Sequence, residues 1–255
     1  MFLINNLPIN SRMNTTHLNF LPTKVQFGFT LAEVLITLGI IGVVAALTIP
    51  SLINNYKAQR LRTQFLKSYS TIQQVFKQME ADDVSTDPTS YATHEYYKVF
   101  MRYLQAPMDC GTGYKKSPCV FIRDSSSKDY KPYKTFDGKT NATMAPFDDG
   151  QIVLQDGTIL LFENYASGLG SDNTKIWVSV DLNGYNNKPN RWGYDLFTFQ
   201  LVDNQLKTMG DVGTAFTNLN QYCNTQSSSS YNGIACAQKA KSDSEYFKKI
   251  IKEFK

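Results

Sequence analysis

Three groups of residues carry chemical potential in this chain. Cysteines stand at Cys110, Cys119, Cys223 and Cys236. Neither neighbouring pair has C-x-x-C spacing, so zinc and thioredoxin-like chemistry match poorly. Bridges between sequence neighbours, 110 with 119 and 223 with 236, would close two loops in an oxidising compartment, and four cysteines allow three connectivities in all. A second group sets oxygen-bearing side chains around a glycine turn: Asp181, Asn183, Gly184, Asn187, Asn190 and Asp195. Oxygen donors of this kind suit calcium, with Asp181, Asn183, Asn190 and Asp195 as its candidate ligands. The terminal bidentate glutamate of an EF-hand loop is missing, and ordinary turn chemistry accounts for the same residues; both readings stay open. The third group is a single carboxylate, Glu33, set in an otherwise uncharged run.

Catalysis finds little support. Beyond residue 28 the one histidine is His94, and no Ser or Cys motif places it as a base. Phosphate-loop, H-E-x-x-H and dinucleotide fingerprints do not occur. The sequence predicts a non-enzyme with no cofactor beyond that calcium, the rival being a membrane-anchored hydrolase.

The elements that must position these groups begin with the run FTLAEVLITLGIIGVVAALTIP, residues 29–50. At about 1.5 Å per helical residue it is long enough to cross about 30 Å of hydrocarbon. A core helix would show a polar face, and this one has none. A signal peptide would be shorter and would close on an A-x-A site, whereas Ala45-Ala46 run on into Leu47-Thr48-Ile49-Pro50. An ionisable side chain at the middle of a spanning helix costs about 2.5–3.5 kcal/mol. Near the helix start Glu33 can snorkel, so an interfacial role and a functional one are both open.

The surrounding composition is that of a folded, mostly soluble protein. Of 255 residues 42% are hydrophobic, too many for disorder, and 15 Gly with 9 Pro exclude a collagen-like chain. A net charge of +4 is too small for a dedicated nucleic-acid binder, so no strong nucleic-acid binding is expected.

The stretch Phe27-Gly28-Phe29-Thr30-Leu31-Ala32-Glu33-Val34-Leu35-Ile36 resembles the prepilin-type cleavage and methylation motif of type IV pilins and type II secretion pseudopilins. The resemblance is close from residue 24 to about residue 80 and holds only in outline beyond. It implies that a prepilin peptidase cuts after Gly28 and that Phe29 becomes an N-methylated terminus. Glu33 would then meet the α-amine of Phe29 in a neighbouring subunit. Each buried charge alone is costly, their attraction offsets much of that cost, and the pair would set subunit register. Gly39 and Gly42 would let helices approach closely, and Pro50 would mark a kink or a local melting point. Residues 1–28 would be the leader, with Met13 as an alternative start. Losing Arg12 and Lys24 with it lowers the net charge by two.

The partners implied are like subunits in a filament, the prepilin peptidase, an inner-membrane assembly platform and lipid. The chain would sit in a bacterial inner membrane by one helix, its head in the periplasm or outside the cell. A plain count of basic residues disagrees: Arg12 and Lys24 precede the apolar run, while Lys57, Arg60, Arg62 and Lys67 follow it and favour a cytoplasmic C-terminus. The motif and the cysteines outweigh that count.

From residue 51 to 80, Leu61, Phe65, Tyr69, Ile72, Phe76 and Met79 recur at helical spacing with polar residues between them. With the apolar run they predict one helix of about 50 residues. Asp82–Pro88 breaks it. A short helix is expected at 95–104, then strands at 152–155, 158–162, 176–181, 195–202 and 205–209, the first two joined at Asp156-Gly157. Ser242-x-x-Glu245 reads as a capping box opening a last helix, and Ser227–Ser230 as a loop. The expected architecture is α+β and pilin-like, a long N-terminal helix packed on an antiparallel sheet head. Its divisions are the leader (1–28), the assembly helix (29–50), the stem (51–80) and the head (81–255). The preferred function is a structural filament subunit. The alternatives are a minor pilin with an adhesive or DNA-uptake head, and a monomeric anchored binding protein or enzyme.

Overall fold

The computed structural model describes residues 28–92, 94–112, 117–122, 126–128, 130–164 and 175–254. The leader before Gly28, with Met13, Arg12 and Lys24, lies outside them. The chain divides into two units, Met1–Leu47 and Thr48–Lys255. One helix, α1 (Leu31–Ala81), begins in the first and ends in the second.

In the first unit no described side chain is buried, and the apolar residues are exposed on every side of α1. By length and composition this is a candidate membrane span. Helical structure is unbroken through Pro50. The missing N–H removes one bond while its neighbours hold the turn.

In the second unit α1 becomes one-sided. Ala58, Leu61, Phe65, Ile72, Val75, Phe76 and Met79 are buried, the stripe that the spacing predicts, and Tyr69 is half-buried at its edge. The helix ends where Asp83 takes a positive φ of 53°. After α2 (Tyr96–Met101) come β1 (Met108–Gly111), β2 (Gly150–Val153), β3 (Ile159–Glu163), β4 (Trp177–Asp181), β5 (Leu196–Val202) and β6 (Gln205–Thr208). Among the described residues they form one antiparallel meander in sequence order. Three short helices close the chain: α3 (Leu219–Tyr222), α4 (Cys236–Ser242) and α5 (Tyr246–Glu253). This is the α+β, pilin-like architecture that the sequence predicts.

Strand alternation gives the sheet two buried faces. Leu160 and Phe162 of β3, Val178 and Val180 of β4, and Phe197 and Phe199 of β5 face the stem and α5. Phe65 is the centre of that layer, with ring centroids 4.9 Å from Phe197, 5.5 Å from Phe199 and 5.9 Å from Phe247. Ile159, Leu161, Trp177 and Leu196 point the other way, under irregular chain that carries Tyr133, Phe147, Trp192 and Phe216. That second layer was not expected from the sequence. It is docked by polar side chains: Gln151 accepts from the Val120 N–H and donates to its carbonyl, both at 2.9 Å. The Trp192 indole N–H donates to Thr198 Oγ1 at 3.1 Å.

Three local expectations need correction. Residues 102–104 leave α2 as tighter i to i−3 turns ahead of Pro107. β1, α3 and α4 were not expected at all, each being too short to show a period. The Ser242–Glu245 capping box does not form: Ser242 ends α4 and donates its hydroxyl to the Gln238 carbonyl, while Asp243 Oδ1 accepts the Glu245 N–H.

Candidate processing and assembly site

Around the start of α1, Gly28 has no neighbour within 4 Å of where a Cβ would stand, and Phe29 is 88% exposed. The first turn is closed by Thr30 and Glu33. Glu33 Oε2 accepts from the Thr30 N–H at 2.8 Å and from Thr30 Oγ1 at 2.9 Å, and Thr30 Oγ1 accepts the Glu33 N–H at 3.2 Å. This reciprocal capping box satisfies two donors that a helix start leaves unpaired. A negative charge there also faces the positive end of the helix dipole. Gly39 and Gly42 likewise have no neighbour within 4 Å of where a Cβ would stand.

The oxygen-rich loop between β4 and β5 is folded onto itself. Asp181 and Asp195 are both fully buried. Asp181 Oδ1 accepts from the N–H groups of Asn183 (3.3 Å) and Gly184 (2.9 Å), and its Oδ2 from Tyr133 Oη–H at 2.9 Å. Asp195 takes the N–H of Arg191 at 2.6 Å and of Asn190 at 2.9 Å. Burial first, then the Asp195 charge, pushes the Asp181 carboxyl above its ordinary range, and burial raises Asp195 too. Burial drives the Tyr133 phenol well above its usual value.

Gly193 in the same loop sits at φ +76°, where a Cβ would meet Phe136 and the Cys236 sulfur at under 3 Å. The cysteines form two disulfides, Cys110–Cys119 and Cys223–Cys236, the sequence-near pairing, with Cα–Cα distances of 5.8 and 5.0 Å. His94 Nδ1 lies 2.9 Å from the buried Asp149 carboxylate, which also accepts the Asn164 N–H. That pair fastens the entry to α2 onto the sheet.

Residues 23–49 match the family model described as the prokaryotic N-terminal methylation motif. It is the type IV pilin and pseudopilin signature. No curated protein and no solved structure matches the chain.

In this pilin-like chain Gly28, Phe29 and Glu33 stand together at the exposed start of α1, and Pro50 lies further along the same helix. Asp181, Asn183, Asn190 and Asp195 are brought together in one loop, where Asp181, Asn190 and Asp195 are buried and Asn183 is half-buried. Two residues were missed. Thr30 completes the cap, and its T-x-x-E spacing to Glu33 was a readable signal. Tyr133 donates to Asp181 from 48 residues away, and nothing local announces it.

Proposed function

We propose that this chain is a structural subunit of a type II secretion pseudopilus or a type IV pilus-like filament. The prepilin peptidase cuts after Gly28 and methylates the amine of Phe29. The first half of α1 holds the unassembled subunit in the bacterial inner membrane, with the head in the periplasm or outside the cell. On assembly, burial of that helix against other subunits replaces burial in lipid, driven by the inner-membrane platform.

The observation that carries this reading is the start of α1. A capped helix end bears one carboxylate, follows an open glycine and leads into apolar residues that nothing in the chain covers. An exposed glycine gives a protease an unhindered backbone, and the uncovered helix needs lipid or other subunits around it. The disulfides fit a head kept in an oxidising space. Mass spectrometry of the native protein tests the proposal. The expected N-terminus is methylated Phe29, and an intact leader on the accumulated protein overturns it.

A further inference from the structure

We propose that the stem half of α1 carries two opposite charge poles that dock one copy of this chain against another at an axial offset of about 33 Å, with Lys57 and Arg60 of one copy beside Asp82 and Asp83 of the next. The inference rests on the filament reading and deepens it, since it needs copies that point the same way.

The poles come from a segregation of charge along the chain. From Thr48 to Met79 it holds Lys57, Arg60, Arg62, Lys67 and Lys77 and no Asp or Glu. From Glu80 to Glu95 it holds Glu80, Asp82, Asp83, Asp87 and Glu95 and no Lys or Arg. Several of these are used within the head. Lys67 pairs with Asp156, Lys77 with Glu80 and Lys98 with Glu95, each at 2.7 Å. Arg62 donates to the Asp243 carbonyl at 3.4 Å, and Asp87 caps the Thr89 N–H at 2.9 Å. Four charges remain at the surface. Lys57 and Arg60 are exposed and make no ion pair among the described residues; the same holds for Asp82 and Asp83 at the far end of the stem. The Tyr103 hydroxyl donates to Asp82, which orients that carboxylate without neutralising it.

The two poles cannot meet within one chain. Arg60 and Asp82 stand 22 residues apart, about 33 Å along the helix. The helix between them is continuous and is held to the sheet through Phe65, Ile72, Phe76 and Met79. Its exposed positions Thr63, Ser70, Gln73, Gln74 and Gln78 are neutral. A second copy lying parallel and level would set cation against cation and carboxylate against carboxylate. Shifted by the pole spacing, the same two helices bring opposite charges together. Smaller shifts lay each pole on the neutral band and gain nothing, so charge selects one offset.

Each such contact joins the cationic pole of one copy to the acidic pole of another, which leaves one pole of each copy open. A head-to-tail contact with an axial shift cannot close into a ring and propagates as an open helix. Leu52 and Tyr56, 70% and 65% exposed, lie about two turns and one turn ahead of Arg60. A neighbour that covers them withdraws water from the cationic pole, and charge pairs strengthen as the local dielectric falls.

The experiment uses the full chain in filaments sheared from cells. A chain carrying both Arg60→Cys and Asp82→Cys is treated with a short bis-maleimide, to which the native cysteines, all in disulfides, do not react. The expected product is a ladder of dimers, trimers and longer species. Each single-cysteine chain should stay monomeric alone and give dimers when the two are co-expressed. Arg60→Glu and Asp82→Arg should each lower filament yield about threefold or more, because exposed pairs become repulsive, and both in one chain should recover most of the loss. The Tm of the detergent-solubilised head should be the same in all of them. A ladder that stops at dimers, the product of an antiparallel pair, overturns the proposal. So does cross-linking of Arg60→Cys with itself, the mark of level copies. Failure of Asp82→Arg to rescue Arg60→Glu also overturns it and turns the cations toward anionic lipid headgroups, which co-sedimentation with phosphatidylglycerol vesicles reads. In each of these cases the native chain still forms processed filaments and the filament reading stands, whereas an intact leader without filaments removes both.

Discussion

Truncating Phe65 to alanine tests whether the stem half of α1 belongs to the core of the head. Phe65 is fully buried and meets three rings, two from β5 and one from α5. Removing a buried phenylalanine side chain costs about 3–5 kcal/mol, and aromatic neighbours of this kind push the value toward the upper end, about 4 kcal/mol. For a domain of this size that lowers Tm by about 8–16 °C. Intrinsic fluorescence of the detergent-solubilised chain reports the transition, because Trp177 and Trp192 are both buried on the opposite face of the sheet and respond only when the whole head unfolds. Leu66→Ala, one residue along and 40% exposed, is the control and should cost no more than about 1 kcal/mol. Equal losses for the two variants would mean that the helix presents a different face, and the packing described above would be refuted.

Further predictions concern the disulfides and the acidic loop. Thiol labelling of the folded, non-reduced protein should detect no cysteine, and each bridge, closing a short loop, should contribute about 3 kcal/mol to resistance against denaturant. The head should lose stability as pH rises from about 4 toward neutrality. Asp181 and Asp195 have folded-state values raised above those of the unfolded chain, so the folded state holds extra protons at low pH and gives them up as pH rises. Urea midpoints at pH 4.5 and pH 7.5 check this, and a higher midpoint at pH 7.5 would contradict it.

Much of the fold is legible because the periods are clean. The Leu61-to-Met79 stripe names the buried face of α1, the Asp156-Gly157 turn signal gives β3, and the apolar pattern of 195–202 gives β5, both within a residue or two. The layer over the second face is not legible, since it is built from chain without a period. It is held by pairs such as Gln151 with Val120 and Trp192 with Thr198, whose partners come from separate stretches of the sequence. The acidic loop was half legible. Its donors cluster in sequence, but their burial depends on Tyr133 and the aromatic layer above. The same four-residue pattern, Ser or Thr followed three residues later by Glu, also occurs twice with opposite outcomes. Ser242 follows the helical run Cys236–Lys241 and is absorbed into α4, so it caps nothing. Thr30 follows Gly28-Phe29, which is not helical, and there the box forms. A cap needs non-helical backbone before it as well as the right side chains after it.

That cap gives Glu33 two separable roles, as an acceptor for its own helix and as a charge for a neighbouring amine. Glu33→Gln distinguishes them. A glutamine can still accept from the Thr30 N–H, so the first turn should stay intact and membrane insertion should be normal. The negative charge is gone, so a neighbour's methylated amine meets no counter-ion in a low-dielectric bundle, where an unpaired charge costs several kcal/mol. Filament yield should fall by at least tenfold while helix content by circular dichroism is unchanged. Glu33→Ala loses both roles and should assemble no better, whereas Thr30→Ala weakens only the cap, by about 1 kcal/mol, and should still assemble. Normal filaments from Glu33→Gln would show that the cap alone matters, and the proposed charge pair between subunits would have to be given up.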